Sequence, residues 1–175
     1  RVGRVEDAKS AFERALQVRP GQVVLVNGLA WILCEHDRNP QEARKVIGDA
    51  ASVDTGTSDF ASLLDTLGVV EYRLAAADPA GKHLVESRNR LEACLRHLRA
   101  EPSTKAAATF HLARTLAEMD RPKSQQLLEG LFADPAEQAL LSDDDREEAR
   151  KLLERLRRPS AGQACAGVYG CAKTG

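Results

Sequence analysis

The strongest constraint on the fold is a stripe of small apolar residues at the start of the chain. Between residues 3 and 20, helical spacing places the apolar side chains on one face. These residues are Ala8, Ala11, Phe12, Ala15 and Leu16. Small residues let a second helix approach closely, and Phe12 fills the space beside them. Pro20 and Gly21 then predict the end of the helix, so the stripe favours packed helices.

The same kind of pattern recurs along the chain and predicts an all-α fold of about eight helices. Asn39 and Pro40 are typical of a helix start, with Asn as the cap and Pro at the first position. After a polar loop at 54–59, Ser58 or Asp59 is expected to cap the next helix. A last helix at 143–157 follows the capping residue Ser142 and has a Glu/Arg-rich outer face, as expected of a C-terminal capping helix.

Three segments carry a resemblance to the tetratricopeptide repeat family. Ala8, Phe12, Ala15 and Pro20 resemble the second helix of such a repeat, and the runs NGLAWIL (27–33) and LLDTLGVVEYRL (63–74) resemble first helices. The resemblance covers roughly residues 3–133. It implies an α-solenoid, in which antiparallel helical hairpins stack side by side.

The spacing of the matched small residues is longer than the period of the family. Ala30, Gly68 and Ala113 lie 38 and 45 residues apart, whereas the family period is about 34. The larger excess predicts that the hairpin at 58–100 has a lengthened second helix. Residues 1–157 are thus expected to form one helical repeat domain, and the Gly/Ala-rich segment 158–175 is expected to be a disordered tail.

Composition argues against several classes of partner. The net charge of −1 provides no excess of cations for nucleic acid. No apolar run reaches the roughly 20 residues that a membrane-spanning helix needs. Cys34 and Cys94 fall within helical patterns and are interpreted as small buried hydrophobes. Cys165 and Cys171, in the tail, are interpreted as free thiols or one labile disulfide. We expect a cytoplasmic protein with no cofactor.

The catalytic motifs present each lack an essential part. The DTGT sequence at 54–57 matches aspartic proteases but joins two predicted helices, where a turn role is favoured over catalysis. Gly81 and Lys82 lack the strand, the earlier glycine and the following Ser/Thr of a phosphate-binding loop. The histidines form no metal-binding motif. No catalytic, cofactor-binding or metal-binding residue is therefore predicted, and an enzyme would need a polar pocket with convergent carboxylates or histidines.

The resemblance implies that the first helix of each hairpin lines a concave groove. The outward residues of these helices are the predicted partner-binding set: Asn27, Trp31, Glu35, Asp65, Val69, Tyr72, Arg73, Phe110, Arg114 and Glu118. For Trp31 and Tyr72 the alternative is core packing between hairpins. The predicted function is a non-enzymatic scaffold that binds a protein or peptide. The alternative is a C-terminal repeat segment of a larger multidomain enzyme, such as a bacterial serine/threonine protein kinase, because the chain begins inside a repeat.

Overall fold

The computed structural model describes residues 2–48, 56–78 and 80–158. Within these ranges the chain forms nine α-helices and no strand, which confirms the all-α prediction. The helices are α1 (Val2–Val18), α2 (Val23–Trp31), α3 (Pro40–Gly48), α4 (Ser58–Leu74), α5 (Lys82–Arg96), α6 (Pro102–Leu116), α7 (Arg121–Ala133), α8 (Pro135–Leu140) and α9 (Asp143–Arg157). The short α8 is the helix that the sequence pattern did not indicate. Asp54 and Thr55 of the DTGT sequence and the tail at 159–175 lie outside the described residues.

Five of the described helix starts are fixed by side-chain caps, of which Asp120 caps α7 and Asp134 caps α8. The Asn39 Oδ1 atom accepts a hydrogen bond of 3.1 Å from the Glu42 amide, as predicted. Ser142 Oγ likewise accepts from the Asp145 amide at 3.1 Å. At α4 the prediction of Ser58 or Asp59 is wrong. Thr57 has the extended backbone of a capping residue, and its hydroxyl accepts from the Phe60 amide at 3.3 Å.

The helices pack in a pattern that repeats along the chain. In addition to its sequence neighbours, α2 packs on α4, α4 on α6 and α6 on α9. These four helices form a row, and α3, α5 and α7 each pack against two consecutive members of it. Three apolar clusters fill the spaces between them: the first joins α2, α3 and α4, the second joins α4, α5 and α6, and the third joins α6, α7 and α9.

Small residues in the row permit hydrogen bonds between the helices. The buried Ser87 hydroxyl of α5 donates to the Gly68 carbonyl at 2.8 Å. The buried Ser124 hydroxyl of α7 donates to the Ala113 carbonyl at 2.6 Å. Gly68 and Ala113 are the matched small residues of the second and third predicted hairpins. In each case the missing side-chain bulk lets a serine of the following helix reach the backbone of α4 or α6.

A buried carboxylate joins three helices one turn further along α4. Glu71 is 2% exposed, and it accepts a hydrogen bond of 2.9 Å from Arg44 of α3. His83 of α5 lies 2.6 Å from the same carboxylate through its Nδ1 atom. A buried carboxylate requires such partners, and here they connect α3 and α5 to α4.

The second helix of the 58–100 hairpin is predicted to be lengthened and to continue to residue 101, but it ends earlier. Helix α5 stops at Arg96 after 15 residues. His97 takes an extended conformation, and its ring lies 6.0 Å from that of Phe60. The chain then returns to the core at Ala100, which is 9% exposed. The extra residues of this hairpin therefore extend α4 to 17 residues and occupy the connections on either side of α5.

We expect Gly68→Leu to lower the free energy of unfolding by about 1–3 kcal/mol through overpacking. A Cβ atom at Gly68 would lie 2.4 Å from Leu91 Cγ, so Leu91 and its neighbours must move. Gly130→Leu is the matched control, because a Cβ atom there has no described heavy atom within 4 Å. It should raise the stability by up to about 1 kcal/mol through helix propensity. Urea denaturation measures both changes. Equal stability of Gly68→Leu and the parent chain would show that α4 and α5 are not closely packed at this point.

Candidate functional site

The row of helices brings most of the predicted binding residues to one face. Glu118 is exposed, and six others are half-buried: Asn27, Trp31, Glu35, Tyr72, Arg73 and Arg114. The prediction that Asp65, Val69 and Phe110 point outwards is wrong, because these residues are at most 8% exposed, although Phe110 contributes to the wall of a cleft. Val69 belongs to the first apolar cluster and Phe110 to the third, while Asp65 pairs with His111. Helical phase alone placed these residues on an open face. They are buried because other helices pack against α4 and α6 on more than one side.

Two clefts meet at Tyr72, and together we call them the Tyr72 groove. The first is about 250 Å³ and is lined by Tyr72, Phe110, Arg114, Glu148, Lys151, Leu152 and Arg155. The second is about 440 Å³ and is lined by Tyr72, Arg73, Ala75, Ala76, Leu84 and Glu118. Sequence reasoning missed the residues that α9 contributes, because its charged face was interpreted as a solvent-facing cap. The regular spacing of Glu148, Lys151 and Arg155 along one face of α9 is the sequence feature that could have indicated this contribution.

Arg114 forms the floor of the first cleft. Its guanidinium carbon lies 4.7 Å from the Tyr72 ring centroid and 5.5 Å from that of Phe110, which is cation–π geometry. The side chain is 13% exposed, and its nearest carboxylate is Glu148 of α9 at 3.6 Å. The Arg114 Nε atom is buried and has no hydrogen-bond partner in the described part of the chain. Arg114 is thus held by aromatic rings, with hydrogen-bonding capacity unused.

A bidentate ion pair connects α4 to the end of α2. Arg73 donates from Nε and Nη2 to the two oxygens of Glu35, at 2.8 and 2.7 Å. Glu35 lies in a wide turn, Ile32–His36, in which the Asp37 amide reaches the Ile32 carbonyl at 3.1 Å. Burial raises the pKa of Glu35, but the hydrogen bonds and charge of Arg73, with Arg114 and Arg38, outweigh burial and hold it below its usual value.

His111 occupies the centre of the row and was not among the predicted residues. It is 2% exposed, and its Nδ1 atom donates to Asp65 Oδ1 at 2.8 Å. Its ring lies 6.1 Å from that of Trp31 on α2. The Nε2 atom faces Asp145 Oδ1 of α9 at 4.0 Å and has no hydrogen-bond partner among the described residues. A carboxylate orients the imidazole as in catalytic triads, but its free nitrogen faces a second carboxylate in place of a nucleophile.

Unsatisfied polar atoms are concentrated on the row. Four buried side-chain atoms lack a hydrogen-bond partner within the described ranges, and three of them belong to α2 and α6. These three are Asn27 Oδ1, His111 Nε2 and Arg114 Nε. Such groups are uncommon in folded proteins, since each costs about 1–3 kcal/mol. Because three of the four lie on the row, this face has more unused hydrogen-bonding capacity than the other described parts of the molecule.

The described residues do not favour a reactive thiol, a metal site or a membrane-spanning helix. Cys34 and Cys94 are buried, as predicted, and burial raises the pKa of each thiol to about 12, which keeps it protonated at neutral pH. Among the described residues, His, Cys, Asp and Glu side chains do not gather in groups of three that would hold a metal ion. Within the same ranges, no helix combines the length and apolar character needed to span a membrane.

The Glu35–Arg73 pair predicts a loss of stability in acid. Because the pKa of Glu35 is lowered by folding, its contribution is present above the usual value of 4.5 and is lost as the pH falls through the lower folded value. Glu35→Gln should reduce the free energy of unfolding by about 1–2 kcal/mol near neutral pH, and the difference from the parent should shrink in acid. Urea denaturation from neutral pH down to about 3 measures this.

Glu42→Gln is the control for that measurement. It removes an exposed carboxylate that pairs with Lys45 at 2.8 Å within one helix, and it should change the stability by less than about 0.5 kcal/mol. A pH-independent difference for Glu35→Gln would contradict the assigned role of the carboxylate charge.

Comparison of the chain with protein-family models, with curated proteins and with solved structures finds no match. The function must therefore be argued from the geometry of the chain itself.

Proposed function

We propose that the chain is a non-enzymatic protein-interaction module. In this proposal it is a tetratricopeptide-like α-solenoid that binds a peptide segment of a partner protein in the Tyr72 groove. The observation that carries the proposal is the groove itself, in which residues of α4, α6 and α9 surround a half-buried tyrosine.

The packing pattern supports the solenoid. Each step along the row adds one helix that packs on the previous member and on the helix behind it. Stacks of helical hairpins have this arrangement, because each repeat buries its apolar face only against its neighbours. The recurrence of a small residue that receives a buried serine, at Gly68 and again at Ala113, adds a second repeated feature.

The chemistry of the groove supports a peptide ligand. Recognition sites combine apolar and aromatic surface with a few polar groups that fix orientation. Tyr72 and Leu152 supply the first kind of surface, and Arg73, Glu118 and Lys151 supply charges of both signs. Tyrosine is also enriched among the residues that contribute most to binding energy at interfaces. The groove is therefore suited to a segment that places one apolar side chain beside Tyr72, flanked by polar groups.

Selection of binders from a displayed library of random peptides tests the proposal. The affinity of a selected peptide, measured by fluorescence polarisation, should fall at least about tenfold for Tyr72→Ala. Gln126→Ala is the control, because Gln126 is an exposed residue of α7 that lines a cleft away from this groove. Circular dichroism must show that both variants remain folded.

The outcomes are distinct. A peptide that loses affinity for Tyr72→Ala and keeps it for Gln126→Ala would support binding in the Tyr72 groove. A peptide that binds the parent and Tyr72→Ala equally would place recognition elsewhere on the molecule. If repeated selection yields no binder, the proposal of a peptide-binding module fails.

A further inference from the structure

The position of His111 between two carboxylates has a consequence beyond ligand binding. We propose that His111 is a proton-sensitive link between α6 and α9: on protonation, its Nε2–H donates to Asp145 and draws the start of α9 against α6. The link depends on the folded chain alone and holds whether or not the groove binds a peptide.

The two protonation states differ at one atom. In the neutral ring, Nδ1–H donates to Asp65, and the unprotonated Nε2 presents a lone pair to Asp145 Oδ1 at 4.0 Å. Two acceptors facing each other form no hydrogen bond. In the charged ring both nitrogens donate, and a hydrogen bond to Asp145 requires the two atoms to approach by about 1 Å. Proton binding thus changes a contact without a bond into an attraction between opposite charges.

The surroundings of His111 contain both favourable and unfavourable charges. Asp65 of α4 and Asp145 of α9 favour the protonated ring. Arg114, one turn further along α6, opposes it but is turned towards Tyr72 and Glu148. From α2 the ring meets Trp31, which carries no charge. The helices behind the row, α5 and α7, present the hydroxyls of Ser87 and Ser124 to this region of α6.

The two ends of α9 are held by different arginines. Its C-terminal end is fixed, because Arg121 Nη2 donates to the carbonyls of Arg155, Leu156 and Arg158 at 2.7–2.9 Å. The N-terminal end is held by Arg146, which donates to the carbonyls of Gln138 and Leu141 at 3.0 and 2.9 Å. Towards α6, α9 has its apolar packing and two longer polar contacts, Arg114–Glu148 at 3.6 Å and His111–Asp145 at 4.0 Å. Both distances exceed those of normal hydrogen bonds. A new bond at Asp145 would therefore tighten the contact between α6 and the start of α9, one turn before Glu148 of the first cleft.

Trp31 provides a built-in reporter for the test. It is the one tryptophan of the chain, and its ring is 6.1 Å from His111. A protonated imidazole quenches indole fluorescence more strongly than a neutral one, because it accepts an electron more readily. Fluorescence of the parent chain should fall as the pH is lowered and the ring takes up a proton. His111→Gln, in which the amide can still donate to Asp65, should lose this transition.

Asp145→Asn removes the carboxylate that the proposal requires while keeping an oxygen for the Ser142 hydroxyl, which donates to Asp145 at 2.7 Å. It should move the transition to lower pH by about one unit. Asp144→Asn is the matched control, since it removes the same charge from an exposed residue of the same turn. It should leave the transition within about 0.2 unit of the parent, because exposed charges are screened by solvent.

Hydrogen exchange tests the movement of α9. After correction for the intrinsic pH dependence of exchange, the amides at the start of α9 should become more protected in the parent chain at low pH, and Asp145→Asn should not show this gain. Coincident fluorescence transitions in Asp145→Asn and the parent would overturn the link. A fluorescence transition retained in His111→Gln would overturn it as well. So would equal protection of the start of α9 at pH values above and below the transition.

Discussion

The close approach of α4 and α5 at Gly68 is the contact on which the rest of the row depends. Leu91 occupies the space that a side chain at Gly68 would fill, and Ser87 reaches the Gly68 carbonyl beside it. The Ser87 hydroxyl also lies 2.9 Å from that of Thr115, which donates to the His111 carbonyl. These two hydroxyls have two protons for three contacts, so Ser87 and Thr115 form a polar cluster between the α4 backbone at Gly68 and the α6 backbone at His111 rather than a continuous chain of hydrogen bonds.

The polar groups around α4 and α6 have different roles. Glu71 accepts a hydrogen bond from Arg44 and lies 2.6 Å from His83, and it connects α4 to α3 and α5, so its hydrogen-bonding needs are met within the fold. By contrast, Arg114 and His111 of α6 each retain an unused nitrogen atom. A satisfied buried network stabilises one arrangement, whereas an unsatisfied one leaves free energy available for a proton or a ligand. The candidate site is therefore distinguished from the Glu71 network by its unpaired polar atoms more than by the types of residue it contains.

The periodicity of small and large apolar residues was sufficient to predict the helices, and the cap at Asn39 was predictable from its sequence alone. The environment of individual side chains was not. Val69 and Phe110 have the helical phase of groove residues but are buried, because Val69 is covered by α2 and α3 and Phe110 by α7 and α9, which are tertiary contacts. His111 escaped notice for the same reason, since its partner Asp65 is 46 residues away and no local motif connects them. Single-sequence patterns specify which face of a helix is apolar, and they do not specify how many neighbours cover it.

The contact between Trp31 and His111 has a consequence for how the molecule unfolds. Apart from this contact, the row is built from neighbours, and such arrays can lose their ends while the middle persists. Trp31 packs against the first apolar cluster, and His111 follows Phe110 of the third, so the ring contact spans the second cluster between them. The Asp65–His111 hydrogen bond connects the intervening helix, α4, to the same histidine. Fraying of α2 therefore removes a contact from α6 directly, which couples the first and third helices of the row and favours their cooperative unfolding over stepwise melting.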